Sequence, residues 1–214
     1  MLLKEIIKKS EDLFMRYGIR SVSMDDISRE LGVSKKTIYQ QIENKSDLIR
    51  RIFVNRCEEE MEEISKMRET ATNAIEEQVQ VVRFMINRLR TVSPTSRYDL
   101  EKYYKDIHRE MDEFHQAFFQ QFIQDNLKRG IAEGLYRANI DAVIVAKLFV
   151  SMAVNLGHNE YFSVHEFSLE ELVRQLFHYH INGVASDEGL AVMQTYLPTQ
   201  KEADKPLDTH NFNI

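Results

Sequence analysis

Apolar residues recur at every third or fourth position through most of the chain, which is the spacing of amphipathic α-helices. The first such segment covers residues 3–17 and is followed by Gly18, a residue that can end a helix in the left-handed conformation. The second covers Met24–Leu31, and Ser23 before it is a good helix N-cap. A third is predicted over Lys35–Ile42, so the chain is expected to begin with three short helices.

The turn between the second and third helices is built around Gly32, with Val33 filling it and Ser34 placed to cap the third helix. Two short helices joined at such a turn, with a supporting helix before them, have the layout of a helix-turn-helix. Many helical proteins that never bind DNA contain the same pair, so the spacing alone leaves both interpretations open. Asn44 can cap a fourth helix, which has no breaker before Met67 and would join this head to the rest of the chain.

The rest of the chain is predicted to be helical as well. Helices are expected over Ala74–Thr91, over Tyr98–Arg129 as one kinked helix or two, and from Ser168 to Gly183. A further helix over Asp141–Leu156 is apolar nearly all round, so it must be buried against its own domain on one side and a partner subunit on another. The predicted fold is all-α, with an N-terminal three-helix helix-turn-helix head and a C-terminal helical bundle that contains dimerisation helices.

Charge divides the chain in the same way. The net charge is −6, yet residues 1–55 hold 11 Lys+Arg and 8 Asp+Glu. A basic head on an acidic body is typical of a protein that touches DNA at one end, although ordinary variation in surface charge gives such a modest excess too. We expect a DNA-binding domain in residues 1–50, a ligand-binding and dimerisation domain in residues 51–197 and a disordered polar tail in residues 198–214.

The composition argues against several other classes of protein. With only 7 Gly and 3 Pro, the chain has few turn formers for an all-β fold. It has no apolar run long enough to span a membrane, and its charged start lacks the apolar core of a signal peptide, so a cytoplasmic protein is expected. The single Cys57 cannot form an intrachain disulfide, which fits a reducing compartment.

The predicted third helix has one apolar and one polar side. Ile38 and Ile42 lie one turn apart and point into the core, so Lys36, Tyr39 and Gln40 point outward. A lysine can donate to guanine, an amide can pair with adenine, and a tyrosine hydroxyl can donate to a phosphate. The outward side of this helix is therefore a candidate for binding in the major groove of DNA.

The head resembles the N-terminal domain of the TetR/AcrR family of bacterial repressors. The resemblance is carried by Ser23-Met-Asp-Asp-Ile-Ser-Arg-Glu-Leu-Gly-Val-Ser-Lys-Lys-Thr-Ile-Tyr39 and Asn44-Lys45-Ser-Asp-Leu-Ile49, and Leu13-Phe14-Met-Arg-Tyr17-Gly18 is similar to the family's first helix. It covers roughly residues 3–52 and implies a C-terminal ligand-binding domain. It also implies a homodimer formed by the last two long helices, here about 141–160 and 168–184.

The resemblance implies roles for individual residues of the head. Lys36, Thr37 and Gln40 match the base-reading face, and Thr37, Tyr39 and Lys45 match positions that contact the DNA backbone. In such a protein a dimer places two copies of the third helix in successive major grooves of a near-palindromic DNA operator, about 34–36 Å apart.

Two residues depart from the family pattern. Ile42 stands where an aromatic residue is frequent, and it keeps the core apolar. Gln41 stands where His or Tyr often contacts phosphate, and its amide can still donate that hydrogen bond. Ser34 and the backbone N–H groups at the start of the third helix can bind a further phosphate. The predicted DNA-binding residues are Ser34, Lys35, Lys36, Thr37, Tyr39, Gln40, Gln41 and Lys45.

The effector of such a protein is expected to be a small apolar molecule bound in the C-terminal domain. Aromatic residues and histidines of the central helices could line an apolar pocket there, or could pack in a plain core. The predicted pocket residues are Phe84, Tyr103, Tyr104, His108, Phe114, His115, Phe118 and Phe122. The predicted dimer-interface residues are Val145, Phe149, Met152, Leu172, Leu176 and Tyr179.

The histidines form no convincing metal site. His108, Asp112 and His115 share one face of a helix and could bind a metal, but polar groups lining a pocket are the expected role. His178 and His180 are two positions apart and point to different sides. The sequence contains no metal-binding, phosphate-binding or nucleophile motif, so we expect no cofactor, no metal and no enzymatic activity.

The sequence thus predicts a ligand-responsive, DNA-binding transcriptional regulator, a repressor by its resemblance, that binds its operator as a dimer. One alternative is a helical ligand- or lipid-binding protein that has lost DNA binding. Another is an enzyme built on a helical bundle, which the absence of paired catalytic groups argues against.

Overall fold

The computed structural model describes residues 2–91, 93–156, 162 and 166–196, and these segments contain ten α-helices. The prediction of an all-α fold is confirmed. The predicted disordered tail lies outside the described residues, and no described helix is long and apolar enough to cross a membrane. The helices are α1 (Leu2–Tyr17), α2 (Met24–Leu31), α3 (Lys35–Tyr39), α4 (Lys45–Thr70), α5 (Ala74–Thr91), α6 (Pro94–Tyr103), α7 (Lys105–Ala132), α8 (Ala142–Asn155), α9 (Leu169–Val184) and α10 (Asp187–Tyr196).

Helix caps define the head, which consists of α1–α3 and the first turns of α4. The Ser23 hydroxyl accepts a hydrogen bond from the Asp26 N–H at 3.2 Å, and the Asp26 carboxylate accepts one from the Ser23 N–H at 2.9 Å. Gly32 ends α2 with a left-handed φ of 65°. Asn44 caps α4 by accepting from the Asp47 N–H at 2.9 Å. These local interactions are the ones that the sequence predicts, and they fix both ends of α2 and the start of α4.

Two apolar cores hold the helices together. The core of the head includes Phe14, Ile27 and Ile38, and Leu100 of α6 and Ile107 of α7 complete it. The second core lies in the body, among α4, α5 and α7–α10. The predicted boundary between the domains falls inside α4, a continuous helix of 26 residues. Head and body are therefore joined both by a rigid helix and by shared apolar packing.

The third helix is shorter than the predicted segment. It ends at Tyr39 and not at Ile42, because the Gln41 N–H bonds to the Ile38 carbonyl at 2.9 Å, an interaction over three residues that closes a tighter turn. Gln40 and Gln41 therefore lie in the turn that follows α3. Both side chains are exposed and follow directly on the polar side of the helix.

The body differs from the prediction at two helices. Pro94 lies between two of the predicted helices, yet it begins α6, because a proline in the first helical position lacks only an N–H that would find no partner within the helix. Ser93 caps this helix, and Tyr104 separates it from α7. α10 is absent from the prediction, because a helix of 10 residues repeats its apolar spacing over fewer than three turns.

Two glycines give a test of the packing in the body. A Cβ atom added to Gly189 would lie 2.0 Å from the backbone oxygen of Leu135, whereas one added to Gly183 has no atom within 4 Å. Gly189→Ala is expected to lower the free energy of unfolding by about 1–3 kcal/mol, because backbone must move to relieve the clash. Gly183→Ala is expected to raise it by about 0.5–1 kcal/mol, because alanine is the better helix former. Urea denaturation measures both, and equal stabilities would contradict the close packing of α10.

Candidate nucleic-acid interface and ligand cavity

The polar side of α3 and the turn after it are open to solvent. Ile38 is fully buried beneath them and so fixes which side of this short helix faces outward. Tyr39 is 45% exposed. The predicted DNA-binding residues that are exposed here are Ser34, Lys35, Lys36, Tyr39, Gln40 and Gln41. A single short segment thus presents cationic, amide and hydroxyl groups together.

Lys35 and Lys36 differ in whether a neighbouring carboxylate already neutralises their charge. The Lys35 ammonium lies 2.9 Å from the Asp25 carboxylate, and this hydrogen bond raises the pKa of Lys35. Lys36 has no ion pair with any residue that the structure describes. The Thr37 hydroxyl lies 2.8 Å from that of Ser34 and is half-buried at the edge of the surface. Lys36 is therefore the cation of α3 whose charge is fully available to a nucleic acid.

Lys45 is placed differently from the sequence prediction, which assigned it to a DNA phosphate. Its ammonium donates hydrogen bonds to the carbonyl oxygens of Ile19 and Val22, both at 2.5 Å, and lies 5.6 Å from the centre of the Phe14 ring. The side chain is half-buried, and this burial lowers the pKa of Lys45. Two backbone carbonyls left open by the turn between α1 and α2 attract the ammonium inward, away from the exposed side of α3.

The turn between α1 and α2 is also held from the body, by α6. The Arg20 N–H donates to the buried Asp99 carboxylate at 2.8 Å, and the Arg20 guanidinium donates to the Tyr103 hydroxyl at 2.8 Å. The Ser96 hydroxyl donates to the carbonyl of Phe14 at the end of α1. A movement of α6 would therefore pull directly on the connection between the first two helices of the head.

A cavity of about 820 Å³ lies in the body, which is within the range of small-molecule sites. Its wall comes from α4–α9 and is mostly apolar. Met15 of α1 also belongs to the wall, so the head itself reaches the cavity. The phenylalanines from the described helices that line it are Phe53, Phe119, Phe122, Phe149 and Phe177.

Three of the eight predicted pocket residues line this cavity: His108, His115 and Phe122. Sequence reasoning missed Phe119, which is adjacent to a residue that it selected, and it assigned Phe149 to the dimer interface. The sequence did contain a signal for Phe149. The helix over Asp141–Leu156 is apolar nearly all round, so some of its apolar residues must face the interior of their own domain.

The other five predicted pocket residues do not line the cavity. Phe84 and Phe118 pack against the core of the body, and Tyr104 packs against the core of the head. Tyr103 and Phe114 are exposed. The helical spacing placed aromatic residues on α5 and α7 correctly, but it did not determine which side of each helix faces the empty space.

Polar groups from three helices meet in one part of the cavity wall. Glu60 and Cys57 come from α4, Arg88 from α5, and His115 from α7. The Cys57 sulfur lies 3.3 Å from His115 Nε2, and burial raises the pKa of this thiol to about 11. The thiol is therefore protonated at neutral pH. His108 of α7 also lines the cavity.

An apolar surface is exposed on the far side of α8. Ile144 is 57% exposed, Leu148 is 58% exposed and Met152 lies on the same side of the helix. Tyr179 of α9, the helix that packs beside α8, is 72% exposed. Large apolar side chains exposed together on neighbouring helices are typical of surfaces that bind another protein, a membrane or a ligand.

The predicted interface residues divide into two groups on these helices. Met152 and Tyr179 are exposed, whereas the other four face the interior of the body. Val145 and Phe149 pack against the core of the body. Leu172 and Leu176 line the cavity. Ile144 and Leu148 occupy the exposed positions that sequence reasoning missed.

Comparisons with known proteins agree with this arrangement. Residues 6–52 match the family model described as bacterial regulatory proteins, tetR family. No curated protein matches the chain in sequence. A transcriptional regulator from Cytophaga hutchinsonii ATCC 33406 shares the fold with a TM-score of 0.75 at 14% identity, over 86% of this chain and 98% of that one.

Two further solved structures share the fold. A regulator of the TetR/AcrR family from Thermobifida fusca YX-ER1 has a TM-score of 0.63 at 21% identity, over 85% of this chain and 97% of that one. FadR from Bacillus subtilis, in complex with stearoyl-CoA, has a TM-score of 0.61 at 16% identity, over 84% of this chain and 98% of that one. At such identities the similarity establishes the fold alone.

Proposed function

Because residues 6–52 match the family model of bacterial regulatory proteins, tetR family, and most of the chain shares the fold of a TetR/AcrR regulator, we propose that this protein is a ligand-responsive transcriptional repressor. It binds a near-palindromic DNA operator as a homodimer. The observation that carries the proposal is the exposed polar side of α3, held outward by the buried Ile38.

DNA binding is supported by the chemistry of that side. Lys36 carries a charge that no described residue neutralises, and Gln40 offers an amide beside it. Cations bind phosphates and guanine, and amides pair with adenine, so the surface can both attract and read DNA. Lys45 contributes indirectly, because its hydrogen bonds to Ile19 and Val22 fix the turn that supports α2.

Dimerisation is supported by the exposed apolar side of α8 with Tyr179 of α9. A surface of this kind is self-complementary when two copies pack about a twofold axis. The same axis would relate the two heads and place both copies of α3 on one face of the DNA. The dimer also accounts for the exposure of Ile144 and Leu148 in a single chain.

The response to a ligand is supported by the position of the cavity between body and head. Its wall includes Met15 of α1 and several residues of α6, the helix whose Asp99 holds the N–H of Arg20. A ligand that binds one arrangement of α6 more tightly than another shifts the population of head positions, because only differential affinity can do so. FadR from Bacillus subtilis, which shares this fold, binds stearoyl-CoA.

Lys36→Ala tests the DNA-binding surface. Each protomer loses one contact of about 1–3 kcal/mol, so the affinity of the dimer for a duplex taken from upstream of the protein's own gene is expected to fall about thirtyfold or more. Fluorescence anisotropy with labelled duplex measures this. Lys66→Ala is the matched control, because Lys66 is exposed on α4 and, among the described residues, pairs only with Glu62 and Glu63 of the same helix. An equal effect of both variants would contradict the assignment of α3.

A further inference from the structure

The described part of the cavity wall contains a shielded carboxylate whose two ion-pair partners lie beyond hydrogen-bond distance. The side chain of Glu60 on α4 is only 11% exposed. One of its oxygens lies 3.7 Å from Arg88 Nε and the other lies 3.7 Å from His115 Nε2, both beyond hydrogen-bond distance. Within the part of the chain that the structure describes, this carboxylate accepts no hydrogen bond.

Two other arginines of the cavity wall form ion pairs at hydrogen-bond distance. The Arg90 guanidinium donates two hydrogen bonds to the Glu170 carboxylate, at 2.7 and 2.8 Å. The Arg56 guanidinium lies 3.1 Å from the carboxylate of Glu11 in α1. Compared with these pairs, the Glu60 carboxylate and the Arg88 guanidinium lie farther apart, so the carboxylate keeps an acceptor and the guanidinium a donor that this contact does not use.

The charge of a ligand group that enters this place decides how well it binds. A carboxylate is attracted by Arg88 but repelled by Glu60, and an ammonium is attracted by Glu60 but repelled by Arg88. Either ion also loses its hydration on entering a mostly apolar cavity, and the opposed interactions do not compensate for that loss. A neutral hydroxyl can donate to Glu60 and accept from Arg88 at the same time, so it satisfies both without bringing in a charge.

We propose that the effector of this protein is a molecule with a large apolar body and one neutral hydroxyl group, which binds between Glu60 and Arg88. The proposal rests on the cavity being the effector site. The apolar body occupies the space bounded by the phenylalanines of α4 and α7–α9, which have no hydrogen bonds to offer a polar ligand. The hydroxyl fixes its orientation there.

The position of Glu60 gives this contact a consequence for the head. A hydroxyl that bridges Glu60 and Arg88 joins α4 to α5 and so restricts how α4 can move against the body. Arg56 lies one turn before Glu60 on α4, and its partner Glu11 is in α1. A shift of α4 caused by the ligand is therefore transmitted to the first helix of the head by an ion pair.

Three probes of equal chain length separate the head groups: decan-1-ol, decanoate and decylammonium. Each is titrated against the full-length protein loaded with the fluorescent apolar probe N-phenyl-1-naphthylamine, and thermal melts give a second readout. Decan-1-ol is expected to displace the fluorescent probe at a concentration about tenfold lower than either ion, because it alone brings no uncompensated charge. Tighter binding of decanoate would overturn the proposal by showing that Arg88, or Arg97 of α6 in the same cavity wall, dominates the site.

Two variants are expected to remove the preference for decan-1-ol over one of the two ions. In Glu60→Gln, Arg88 is no longer opposed, so decanoate should gain about tenfold relative to decan-1-ol. In Arg88→Met, decylammonium should gain by a similar factor. Glu59→Gln is the matched control, since its side chain is exposed on the same helix and should leave the order unchanged. If both variants keep the wild-type order, or if no probe binds the wild type in either readout, the proposal is wrong.

DNA binding and the order of the three probes together distinguish an error in the effector class from an error in the proposed function. DNA binding by the ligand-free protein, measured on the same samples, depends on α3 and not on Glu60. Retained DNA binding with the wrong order of probes overturns only the effector class. Loss of DNA binding with the expected order overturns the regulator and favours a ligand-binding protein.

Discussion

Replacing Leu148 with arginine is expected to convert a dimer into a monomer and to abolish tight operator binding. The side chain is 58% exposed in the single chain, on the apolar side of α8. In a twofold interface both copies would bury a guanidinium without a partner, which costs far more than the apolar contact gains. Sedimentation at micromolar concentration should show a monomer. The dissociation constant for the operator should rise into the non-specific range of roughly 10⁻⁴–10⁻⁶ M.

Asn87→Arg is the control for the added charge. Asn87 is exposed on α5, so this variant should stay dimeric and keep its DNA affinity. A Leu148→Arg protein that remains a dimer would exclude this side of α8 as the interface. A monomer that still binds the operator tightly would instead show that one head is sufficient for tight binding.

Replacing Arg129 with methionine is expected to lower the free energy of unfolding by about 3–5 kcal/mol, because it leaves a buried carboxylate without its cation. The Arg129 guanidinium donates to Glu77 at 2.9 Å, to Glu133 at 2.7 Å and to the Ala71 carbonyl at 2.9 Å. Glu77 is completely buried, and its second oxygen already has no hydrogen-bond partner among the described residues. Urea denaturation of the variant and wild type measures the loss.

The loss should grow with pH. Burial already raises the pKa of Glu77 above its ordinary value of 4.5, and removal of Arg129 raises it further. A folded state with a raised pKa binds more protons than the unfolded state, so its stability falls as pH rises from about 4.5 to the folded pKa. The deficit of Arg129→Met should therefore be smaller at pH 5 than at pH 8. Adding Glu77→Gln should recover part of it, and a deficit that is independent of pH would contradict the role of Glu77.

The head could be predicted closely from the sequence because its signals are local. Ser23, Gly32 and Asn44 act on residues within four positions of themselves, and each cap forms in the structure as its residue type suggests. The outward side of α3 follows from a single buried residue, Ile38. Lys45 could not be placed in the same way, because the carbonyls that draw it inward lie more than 20 positions earlier in the chain.

The cavity could not be predicted because it depends on how distant helices pack. Phe118 and Phe119 are adjacent on α7, and only a rotation of about 100° per residue separates a side chain in the core from one in the cavity wall. Tyr103 belongs to an aromatic stretch, yet it contacts Arg20 of the head. Whether each of these side chains lies in the core, in the cavity wall or against the head depends on residues more than 60 positions away or on another helix. The apolar spacing along one helix carries no information about them.

The most direct test of the central claim is the binding of ligand-free protein to duplex DNA from upstream of its own gene, followed by anisotropy at 50 and 200 mM salt. Two heads that each engage several phosphates should give tight, saturable binding at the lower salt concentration. The affinity should then fall by roughly 10³-fold or more at the higher one, because bound cations displace counterions from the DNA. Absence of binding at 50 mM salt, or binding that salt does not weaken, would contradict the assignment of this protein as a DNA-binding regulator.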